Sequence, residues 1–370
     1  MRLLLLWTYY DAYLQDFYRR FPALGGESYE QQLNAILDDC FGWPPAVARR
    51  MAEQGHETAV VIANAESLQR AWARENGCEF HPARWRHEIA WLQVRRFSPD
   101  VLWLGSSPEY LGDFLDGPTR LAPRTFAWIA APLATGFRLR HLDGILTSHD
   151  TLRQRFAEAG FDAQVVLPCF EPRILDSLGE VERNVALSFT GSLSWAHATR
   201  VEFMSRLAAQ SPLQLWVARP RLLSRGWLEP DYLRLWLRGR KLAARSRPPV
   251  FGMDMYRVLA RSLATVNVHI GIAGGLAGNM RMFEATGCGA VLFTEAMPNL
   301  SELFEPEEEV VPYSGAEDLV GRVRELLEQP ERLRAIARAG QERTLRDHST
   351  VVRARQIAGI FDSQLGGTVS

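Results

Sequence analysis

The stretch GNMRMFEATGCGAVLFTE, residues 278–295, decides the fold of this chain. Its first half has the pattern of a helix, and GAVLF in its second half is a short apolar run typical of a buried strand. A helix that leads into a buried strand is typical of an α/β protein with a parallel sheet. Asn279, Arg281 and Glu284 stand just ahead of that strand, although burying such groups costs free energy unless something pairs with them. The stretch therefore predicts both a fold class and a ligand-binding edge.

The same alternation of strands and helices continues in both directions from this stretch. In the first half, strands are predicted at 2–8, 56–64, 99–106, 125–130, 143–148 and 162–168, with helices at 28–40, 44–55, 84–97 and 149–159. In the second half, strands are predicted at 184–192, 213–218, 264–270, 289–294 and 308–313, with helices at 197–209, 254–262, 279–286 and 298–304. A polar, aromatic stretch follows the first strand to about residue 28, and 168–183 is predicted to be a linker. A capping box is expected at Ser28 and Gln31.

The length of 370 residues is more than one hydrophobic core usually needs, so two domains are expected. We predict an α/β fold with two Rossmann-like halves, residues 1–170 and 171–349, whose parallel sheets face a cleft. Ligands of such sheets bind outside the carboxyl ends of the strands.

The composition excludes several classes of protein. The formal net charge of −1 gives no global attraction to nucleic acid, and no nucleic-acid-binding motif occurs. The four cysteines stand far apart, without a metal-ligand spacing or a disulfide pattern. The N-terminal apolar run is too short for a signal peptide, and no run of about 20 apolar residues could span a bilayer. We therefore expect a cytoplasmic protein.

The motifs of several enzyme classes are missing from the sequence. G-x-G-x-x-G, the P-loop and G-x-S-x-G do not occur, which argues against dehydrogenases, P-loop NTPases and α/β-hydrolases. No Asp-x-Asp pair occurs either, and such a pair would commonly hold a divalent ion on a pyrophosphate. A pyrophosphate bound here would need helix dipoles and arginines to balance its charge. We expect no metal site.

Residues 274–284 have the pattern of an anion and diol site. Gly274, Gly275 and Gly278 allow the backbone to approach a ligand, and Asn279 is a favoured N-cap of the helix that follows. Arg281 lies in the first turn, where the helix dipole disfavours a cation unless it binds an anion. The Glu284 carboxylate has two acceptor oxygens, which suits a vicinal diol such as ribose. The alternative is an intrahelical Arg281–Glu284 ion pair on a solvated face.

The segment 248–355 resembles the C-terminal half of the CgeB/YkvP-like (spore maturation protein-like) glycosyltransferase family. The resemblance depends on FGMDMYRVLA, VNVHI, NMRMFEATGCGA, a Thr-Glu loop, SELFEPEEEVVPY and a closing His-Ser-Thr, in that order. It implies a GT-B fold in which residues 1–170 form the acceptor-side domain and 171–349 bind a nucleotide sugar. In that fold the last helix, within 350–370, packs back on the first domain. The nucleotide sugar would be a substrate, and no cofactor is implied.

The resemblance also implies roles for individual residues. Glu284 matches the carboxylate that binds the donor ribose in related GT-B enzymes. Asn279 and Arg281 match the family's Asn-x-Arg, near the donor phosphates or sugar. The donor-side loop corresponds to Thr294, Glu295, Asn299 and Leu300. Retaining relatives often have a second Glu eight positions before Glu284, where this chain has Leu276.

Four further groups are candidates on the donor side, each with a structural alternative. His269 ends the strand VNVH and suits either a phosphate or sugar contact or a structural role. Gly191 and Ser192 end the strand 184–192, where backbone amides suit a phosphate. Glu302 suits a ligand contact or a surface cap. The loop with Phe251, Gly252 and Tyr256 suits a contact with the nucleotide base of the donor. Its structural alternative is a helix start that packs its own aromatic side chains.

A sugar transfer to a hydroxyl calls for a catalytic base if it inverts the configuration at the sugar carbon. The candidates in the first half are Glu109 after VLWLGSSP, His149 with Asp150 after GILTS, and Asp11 and Glu27 after the first strand. Each also suits a helix cap or a surface position, and the sequence does not choose among them.

The segment 219–247 carries nine basic residues interleaved with aromatic and leucine residues. A basic amphipathic helix of this kind can lie on an anionic membrane surface. It is therefore a candidate contact with the inner face of the membrane, and it suits a cell-envelope or lipid-linked acceptor. The alternative is a core-facing helix with a solvated arginine face.

These observations together favour a metal-independent glycosyltransferase that moves a sugar from a nucleotide sugar to an unidentified acceptor. Two alternatives stay open at this point. One is a GT-B nucleotide-sugar epimerase, and the other is a silent nucleotide-sugar-binding or structural protein of the spore type.

Overall fold

The computed structural model describes residues 1–116, 119–131, 139–192, 198–218, 246–269 and 275–366, with single positions between 233 and 244. The chain divides into two compact units, one formed by Met1–Glu171 with Thr350–Ser370 and the other by Pro172–Ser349. Most of the basic segment 219–247 lies outside the described residues, as does Gly274. Among the described helices, none is long and apolar enough to cross a membrane.

The first unit contains a six-stranded parallel sheet. Its strands are β1 (Arg2–Trp7), β2 (Glu57–Ile62), β3 (Val101–Leu104), β4 (Arg124–Trp128), β5 (Gly144–Thr147) and β6 (Ala163–Val165), in the order β2-β1-β3-β4-β5-β6. Leu4 of β1 is paired with Ala59 on one side and with Leu102 on the other. The run Leu3–Leu6 is buried because helices cover both faces of the sheet.

Between these strands, the described part of the first unit contains six α-helices. They are α1 (Asp11–Arg20), α2 (Tyr29–Asp38), α3 (Pro44–Glu53), α4 (Glu66–Glu75), α5 (Trp85–Phe97) and α6 (Asp150–Glu158). The predicted capping box of Ser28 and Gln31 is confirmed at the start of α2. In the polar, aromatic stretch before Ser28, to which the sequence assigned no element, the structure forms α1. Its buried face consists of Tyr13, Leu14 and Phe17, a helical spacing hidden among polar neighbours.

The second unit contains a five-stranded parallel sheet. Its strands are β7 (Val185–Ser192), β8 (Leu213–Ala218), β9 (Ser262–Val266), β10 (Val291–Glu295) and β11 (Val311–Tyr313), in the order β11-β10-β9-β7-β8. The remaining helices are α7 (Arg173–Leu178), α8 (Ala198–Gln210), α9 (Gly252–Arg261), α10 (Met280–Gly287), α11 (Leu300–Leu303), α12 (Ala316–Leu327), α13 (Pro330–Asp347) and α14 (Thr350–Gly366). Helix α7 lies inside the predicted linker 168–183, where the boundary between the two units also falls. Helix α14 is part of the first unit.

Both sheets have a topological switch point. In the first unit β2 lies on one side of β1 and β3 on the other, and in the second β8 and β9 flank β7 in the same way. The loops after such a strand pair diverge to opposite sides, which leaves a crevice at the carboxyl ends. The predicted fold of two parallel α/β sheets is confirmed.

Candidate functional site

The polar residues predicted at 269–284 gather at the carboxyl edge of the second unit's sheet, next to the β7–β9 switch point. Thr190 comes from the end of β7, Asn267 and His269 follow β9, and Glu284 lies on α10. Glu284 is only 4% exposed. The edge is therefore where an open α/β sheet binds a ligand, and its polar groups are buried within it.

The Glu284 carboxylate is held by two neighbours. Arg281 Nη1 lies 2.8 Å from Glu284 Oε2, an ion pair within α10. The Tyr256 hydroxyl of α9 lies 3.5 Å from Glu284 Oε1. The intrahelical pair is thus present, but it lies on a buried face rather than on a solvated one. Burial, together with the negative charge of Glu284, also raises the pKa of the nearby Cys288 thiol well above its usual range.

Arg281 also joins α10 to α9 and β7. Its Nη1 lies 3.1 Å from Met255 Sδ, and its Nη2 lies 3.5 Å from the Thr190 carbonyl oxygen. The Thr190 hydroxyl is buried and has no hydrogen-bond partner among the residues that the structure describes. A buried hydroxyl without a partner costs free energy unless a ligand supplies one. This position therefore suits a bound polar group.

Asn267 is the centre of a hydrogen-bond network at the same edge, and it is 2% exposed. Its Nδ2 donates to Thr294 Oγ1 at 3.1 Å, and its Oδ1 accepts from Asn279 Nδ2 at 2.8 Å. The Tyr313 hydroxyl donates to the Asn267 carbonyl oxygen at 2.7 Å. Asn267 therefore connects the end of β9 with β10, β11 and the start of α10.

Asn279 occupies the N-cap position of α10 but does not cap it with its side chain. Its Nδ2 donates instead to Asn267 Oδ1. The Asn279 Oδ1 atom has no hydrogen-bond partner within the described part of the chain. The predicted capping role is therefore corrected. The first-turn N–H groups of α10 are left without a side-chain cap, which keeps a helix N-terminus open to an anion.

His269 and Glu295 form a pair beside this network. The His269 backbone N–H donates to Glu295 Oε2 at 2.6 Å, and His269 Nδ1 lies 3.1 Å from the same oxygen. The carboxylate thereby fixes the ring orientation. The His269 Nε2 atom lies 3.5 Å from Asn267 Nδ2, so the ring belongs to the same cluster.

The loop before α10 is shaped by Asn299. Its side-chain amide accepts from the Ala277 N–H at 2.7 Å and donates to the Ala277 carbonyl oxygen at 2.9 Å. Gly275 and Gly278 on either side have φ of 80° and 142°, in the region that favours glycine. The glycines thus let the loop turn, and Asn299 holds it.

The other donor-side candidates are distributed as follows. Gly191 lies near the end of β7, and Ser192 is the last residue of that strand. Leu300 is buried as a core residue, Leu276 is half-buried, and Glu302 is exposed. Gly252 begins α9 with φ of 53°, next to Phe251.

Two of the predicted base candidates line one cavity of about 290 Å³ in the first unit. The cavity lies at the β1–β3 switch point. Its lining residues are Thr8, Tyr9, Tyr10, Asp11, Asn64, Arg86, Ser107 and Glu109. Asp11 and Glu109 therefore come together, although 98 positions separate them in the sequence.

Each of these carboxylates has polar neighbours. Glu109 Oε1 lies 3.3 Å from His87 Nε2, and Glu109 Oε2 lies 3.9 Å from Arg86 Nη1. Asn64 Nδ2 lies 3.3 Å from Asp11 Oδ1 and donates to the Tyr9 carbonyl oxygen at 2.7 Å. The pocket is therefore built mainly from hydrogen-bonding groups.

The remaining base candidates lie outside this cavity. His149 is buried, and its carbonyl oxygen accepts from the first turn of α6. Asp150 is hydrogen-bonded to Arg153 and Gln154, and its pKa is lowered chiefly by the bond from Arg153. Glu27 is exposed, and its carbonyl oxygen accepts from Gln32. These contacts are those of helix starts and surface positions.

Sequence reasoning missed Asn267 and Asn64 as site residues. The predicted strands 56–64 and 264–270 included both residues, whereas β2 ends at Ile62 and β9 at Val266. A polar residue at the carboxyl end of a parallel strand is the signal that would have identified them.

Comparison with known proteins shows similarity in sequence and in fold. Residues 197–359 match the model of a family described as glycosyl transferase-like. No curated protein sequence matches the chain significantly.

Several solved structures share the fold over nearly the whole chain. Anabaena Alr3699/HepE, solved in complex with UDP-glucose, matches at a TM-score of 0.60 and 12% identity, over 98% of this chain and 100% of its own. Sucrose-phosphate synthase from Thermosynechococcus elongatus matches at 0.59 and 11%, over 100% of both chains. A glycosyltransferase from Rickettsia africae ESF-5 matches at 0.57 and 11%, over 100% and 99%. At these identities, the structural likeness establishes the fold.

The family match covers residues 197–359, less than half of the chain, and the structural matches cover the whole architecture. The chain therefore has the two-sheet α/β fold of these GT-B glycosyltransferase structures.

Proposed function

We propose that the chain transfers a sugar from a nucleotide-sugar donor to a hydroxyl of a cell-envelope or lipid-linked acceptor, as a CgeB-like enzyme that needs no metal ion. The buried carboxylate of Glu284 carries the proposal. Arg281 and Tyr256 hold it at the carboxyl edge of the second unit's sheet, next to an uncapped helix start. A nucleotide sugar needs both a diol acceptor and an anion site, and this edge supplies the two together.

Glu284 is the proposed ribose ligand. One carboxylate oxygen lies next to Arg281 and the other next to Tyr256. A carboxylate has about four lone-pair sites, so each oxygen keeps room for one hydroxyl of a vicinal diol. Arg281 and Tyr256 therefore orient Glu284 without using up its acceptor capacity.

The start of α10 is the proposed diphosphate site. Its first-turn N–H groups carry a partial positive charge, and Arg281 has further N–H donors beyond those facing Glu284. The Thr190 hydroxyl, buried and unpaired among the described residues, is a candidate donor to the same group. These groups balance the charge of a departing diphosphate, so we expect activity to survive metal chelation.

The proposed transfer breaks the bond between the sugar carbon and the diphosphate oxygen and forms one to the acceptor oxygen. The acceptor proton passes to a base, for which Asp11 and Glu109 are the candidates in the first unit. Asp11 and Glu109 line the same cavity, which favours them over His149. We keep the cytoplasm as the expected location, and 219–247 as a candidate membrane contact.

Incubation with a panel of labelled nucleotide sugars tests the reaction class. UDP-glucose is the first donor to try, because HepE was solved with it. Transfer, or slow hydrolysis of the donor, supports the proposal. Conversion to a different nucleotide sugar would instead indicate an epimerase, and binding without turnover would indicate a silent binding protein.

Substitution of Glu284 tests the site. We expect Glu284→Ala to weaken nucleotide-sugar affinity by roughly 10- to 100-fold, since hydrogen bonds to a charged group contribute about 1.5–3 kcal/mol. Glu284→Gln should lose less, because one acceptor oxygen remains. Titration calorimetry measures both.

The control is Glu308→Ala, which removes an exposed carboxylate from the same unit. Thermal unfolding of each variant separates a binding defect from a folding defect, since Glu284→Ala leaves Arg281 without its partner. Unchanged donor affinity in a folded Glu284→Ala protein would show that the site assignment is wrong.

A further inference from the structure

Strand β2 forms one edge of the first unit's sheet, next to β1. The N–H of Glu57 donates to the Met1 carbonyl oxygen at 3.2 Å, so the odd-numbered residues of β2 bond towards β1. Backbone groups alternate in direction along a strand, and those of Thr58, Val60 and Ile62 therefore point away from β1. These three residues make up the outer side of the edge.

Side chains cover the carboxyl-terminal half of this outer side. Gln69 Nε2 donates to the Ile62 carbonyl oxygen at 3.0 Å, and the Tyr29 hydroxyl lies 3.4 Å from the Val60 carbonyl oxygen. The N–H groups of Thr58 and Val60 and the carbonyl oxygen of Thr58 have no hydrogen-bond partner in the described part of the chain. A strand edge with free backbone groups is a template for one more strand.

A cavity of about 810 Å³ lies beside these free groups. Its wall contains the consecutive residues 58–61, whose side chains alternate between the two faces of the sheet, so the cavity extends around the β2 edge. The wall also takes Leu33 and Leu37 from α2, Pro45 from α3 and Phe97 from α5. An added strand would point its side chains alternately to two sides, where these apolar groups would contact them.

The charged residues of the same wall favour an acidic ligand. Arg2 lies 3.1 Å from Glu57, and Arg49 lies 3.2 Å from Asp38, so these two cations are paired. Arg96 is exposed and has no ion-pair partner among the residues that the structure describes. A carboxylate on the ligand would complement Arg96, whereas an ammonium group would be repelled by it.

We propose that the β2 edge binds an extended, acidic segment of a partner protein, which adds a strand to the first unit's sheet. The backbone of that segment pairs with Thr58 and Val60, its apolar side chains enter the cavity, and a carboxylate lies beside Arg96. A hydrocarbon chain would fill the apolar part but leave the backbone N–H groups without acceptors. Arg2 and Thr58 lie at the amino-terminal ends of their strands, so this interaction surface is separate from the carboxyl edge.

The test uses an N-acetylated, C-amidated octapeptide that alternates valine with glutamate, added to the full chain. Hydrogen-exchange mass spectrometry should show slower amide exchange in the segment 57–62 when the peptide is present. Thr58→Pro should weaken peptide binding roughly two- to tenfold, because it removes one backbone donor. Proline is tolerated at an outward position of an edge strand, and thermal unfolding checks that the variant folds.

Arg96→Ala should weaken binding of the same peptide by up to about fivefold, the size of an exposed ion pair. Its control is Arg95→Ala, which removes a neighbouring exposed cation that contacts Thr119 and lies outside the cavity wall. The control variant should bind the peptide as the unsubstituted chain does. Equal binding by the Arg96 and Arg95 variants would overturn the acidic character of the partner.

A second peptide separates strand pairing from apolar contact without changing the protein. It has the same side chains with every amide N-methylated, so it has no backbone donors and should not bind. Binding of this peptide would overturn the proposal, as would displacement of the first peptide by dodecanoate, which would indicate a pocket for an apolar anion. Unchanged exchange of 57–62 at millimolar peptide, or undiminished binding by a folded Thr58→Pro chain, would overturn it as well.

Discussion

At the scale of single residues, Asn267 organises the carboxyl edge of the second unit's sheet. Its amide reaches Thr294 and Asn279, and its carbonyl oxygen accepts from Tyr313. An asparagine can satisfy neighbours that need a donor and an acceptor at once. The start of α10 is therefore positioned by β9 through this side chain, and so is any ligand held there.

Asn267→Ala should disturb both the second unit and the proposed donor site. Thr294 and Asn279 would lose partners in a buried setting, which costs about 1–3 kcal/mol. We expect a lower urea midpoint and weaker nucleotide-sugar binding, measured by intrinsic fluorescence and calorimetry. Asn184→Ala is the control, because its side chain bonds Arg261 at the surface. Donor affinity that stays within twofold in Asn267→Ala would contradict the positioning role.

The difference between Asn267 and Glu284 shows what a sequence can predict about a site. Arg281 and Glu284 are three positions apart on one helix, so their contact follows from helical spacing alone. The partners of Asn267 are 12 and 27 positions away, on other elements. Tyr256 likewise reaches Glu284 from 28 positions away. Contacts of this kind depend on how strands are ordered in the sheet, which local spacing does not encode.

At the scale of elements, helix α13 packs closely on the turn before β11 and on α10. Thr286 and Thr344 hydroxyls lie 2.6 Å apart, and Gln341 Nε2 donates to the Gly287 carbonyl oxygen at 2.8 Å. A Cβ atom at Gly340 would overlap the carbonyl oxygen of Glu309. Gly340 is therefore a packing glycine inside a helix, where alanine would otherwise be favoured.

Gly340→Ala should destabilise the chain by about 1–3 kcal/mol, since overpacking outweighs the gain in helix propensity. Gly321 in α12 is the matched comparison, because a Cβ there meets nothing within 4 Å. Gly321→Ala should therefore stabilise, by about 0.5–1 kcal/mol. Urea unfolding of the two variants beside the unsubstituted chain measures both effects, and the same sign in both would contradict the close approach of α13.

Among the elements that the sequence predicted, the strands with two buried faces have the plainest signal. Leu3–Leu6 of β1 and Val291–Phe293 of β10 are continuous apolar runs, and both form strands. Strand β9 ends at Val266 rather than at the predicted 270, because the N–H of His269 bonds the Glu295 side chain and not a neighbouring strand. The end of β9 is therefore set by side-chain contacts beside it. The polar residues there do not alternate with the two-residue period of a strand, so the sequence pattern does not predict where the strand ends.

At the scale of the whole molecule, each unit has its own sheet and its own apolar core. Helix α14 is the last helix of the chain, yet it contributes to the first unit. Phe361 is fully buried there, with its ring centroid 5.9 Å from that of Trp103 and 4.7 Å from that of Phe126. The stability of the first unit therefore depends on residues from both ends of the chain.

Buried cysteines report on each unit separately. Cys169 lies in the first unit and Cys288 in the second, and both are buried, whereas Cys40 and Cys78 are partly exposed. Burial raises the pKa of Cys169 to about 12 and that of Cys288 further still. Since the thiolate is the reactive form, neither should react with a thiol reagent until its unit opens.

Phe361→Ala should therefore lower the urea concentration at which the first unit unfolds. Loss of a buried phenylalanine costs about 3–5 kcal/mol, so Cys169 should become reactive at a lower urea concentration while Cys288 keeps its midpoint. Phe283→Ala removes a fully buried ring beside Phe304 in the second unit. It should lower the urea midpoint at which Cys288 becomes reactive and leave the midpoint of Cys169 unchanged. Pulsed labelling with peptide mass mapping assigns each cysteine. Equal shifts of both cysteines in both variants would mean that the two units unfold as one cooperative body, because independent cores require separate midpoints.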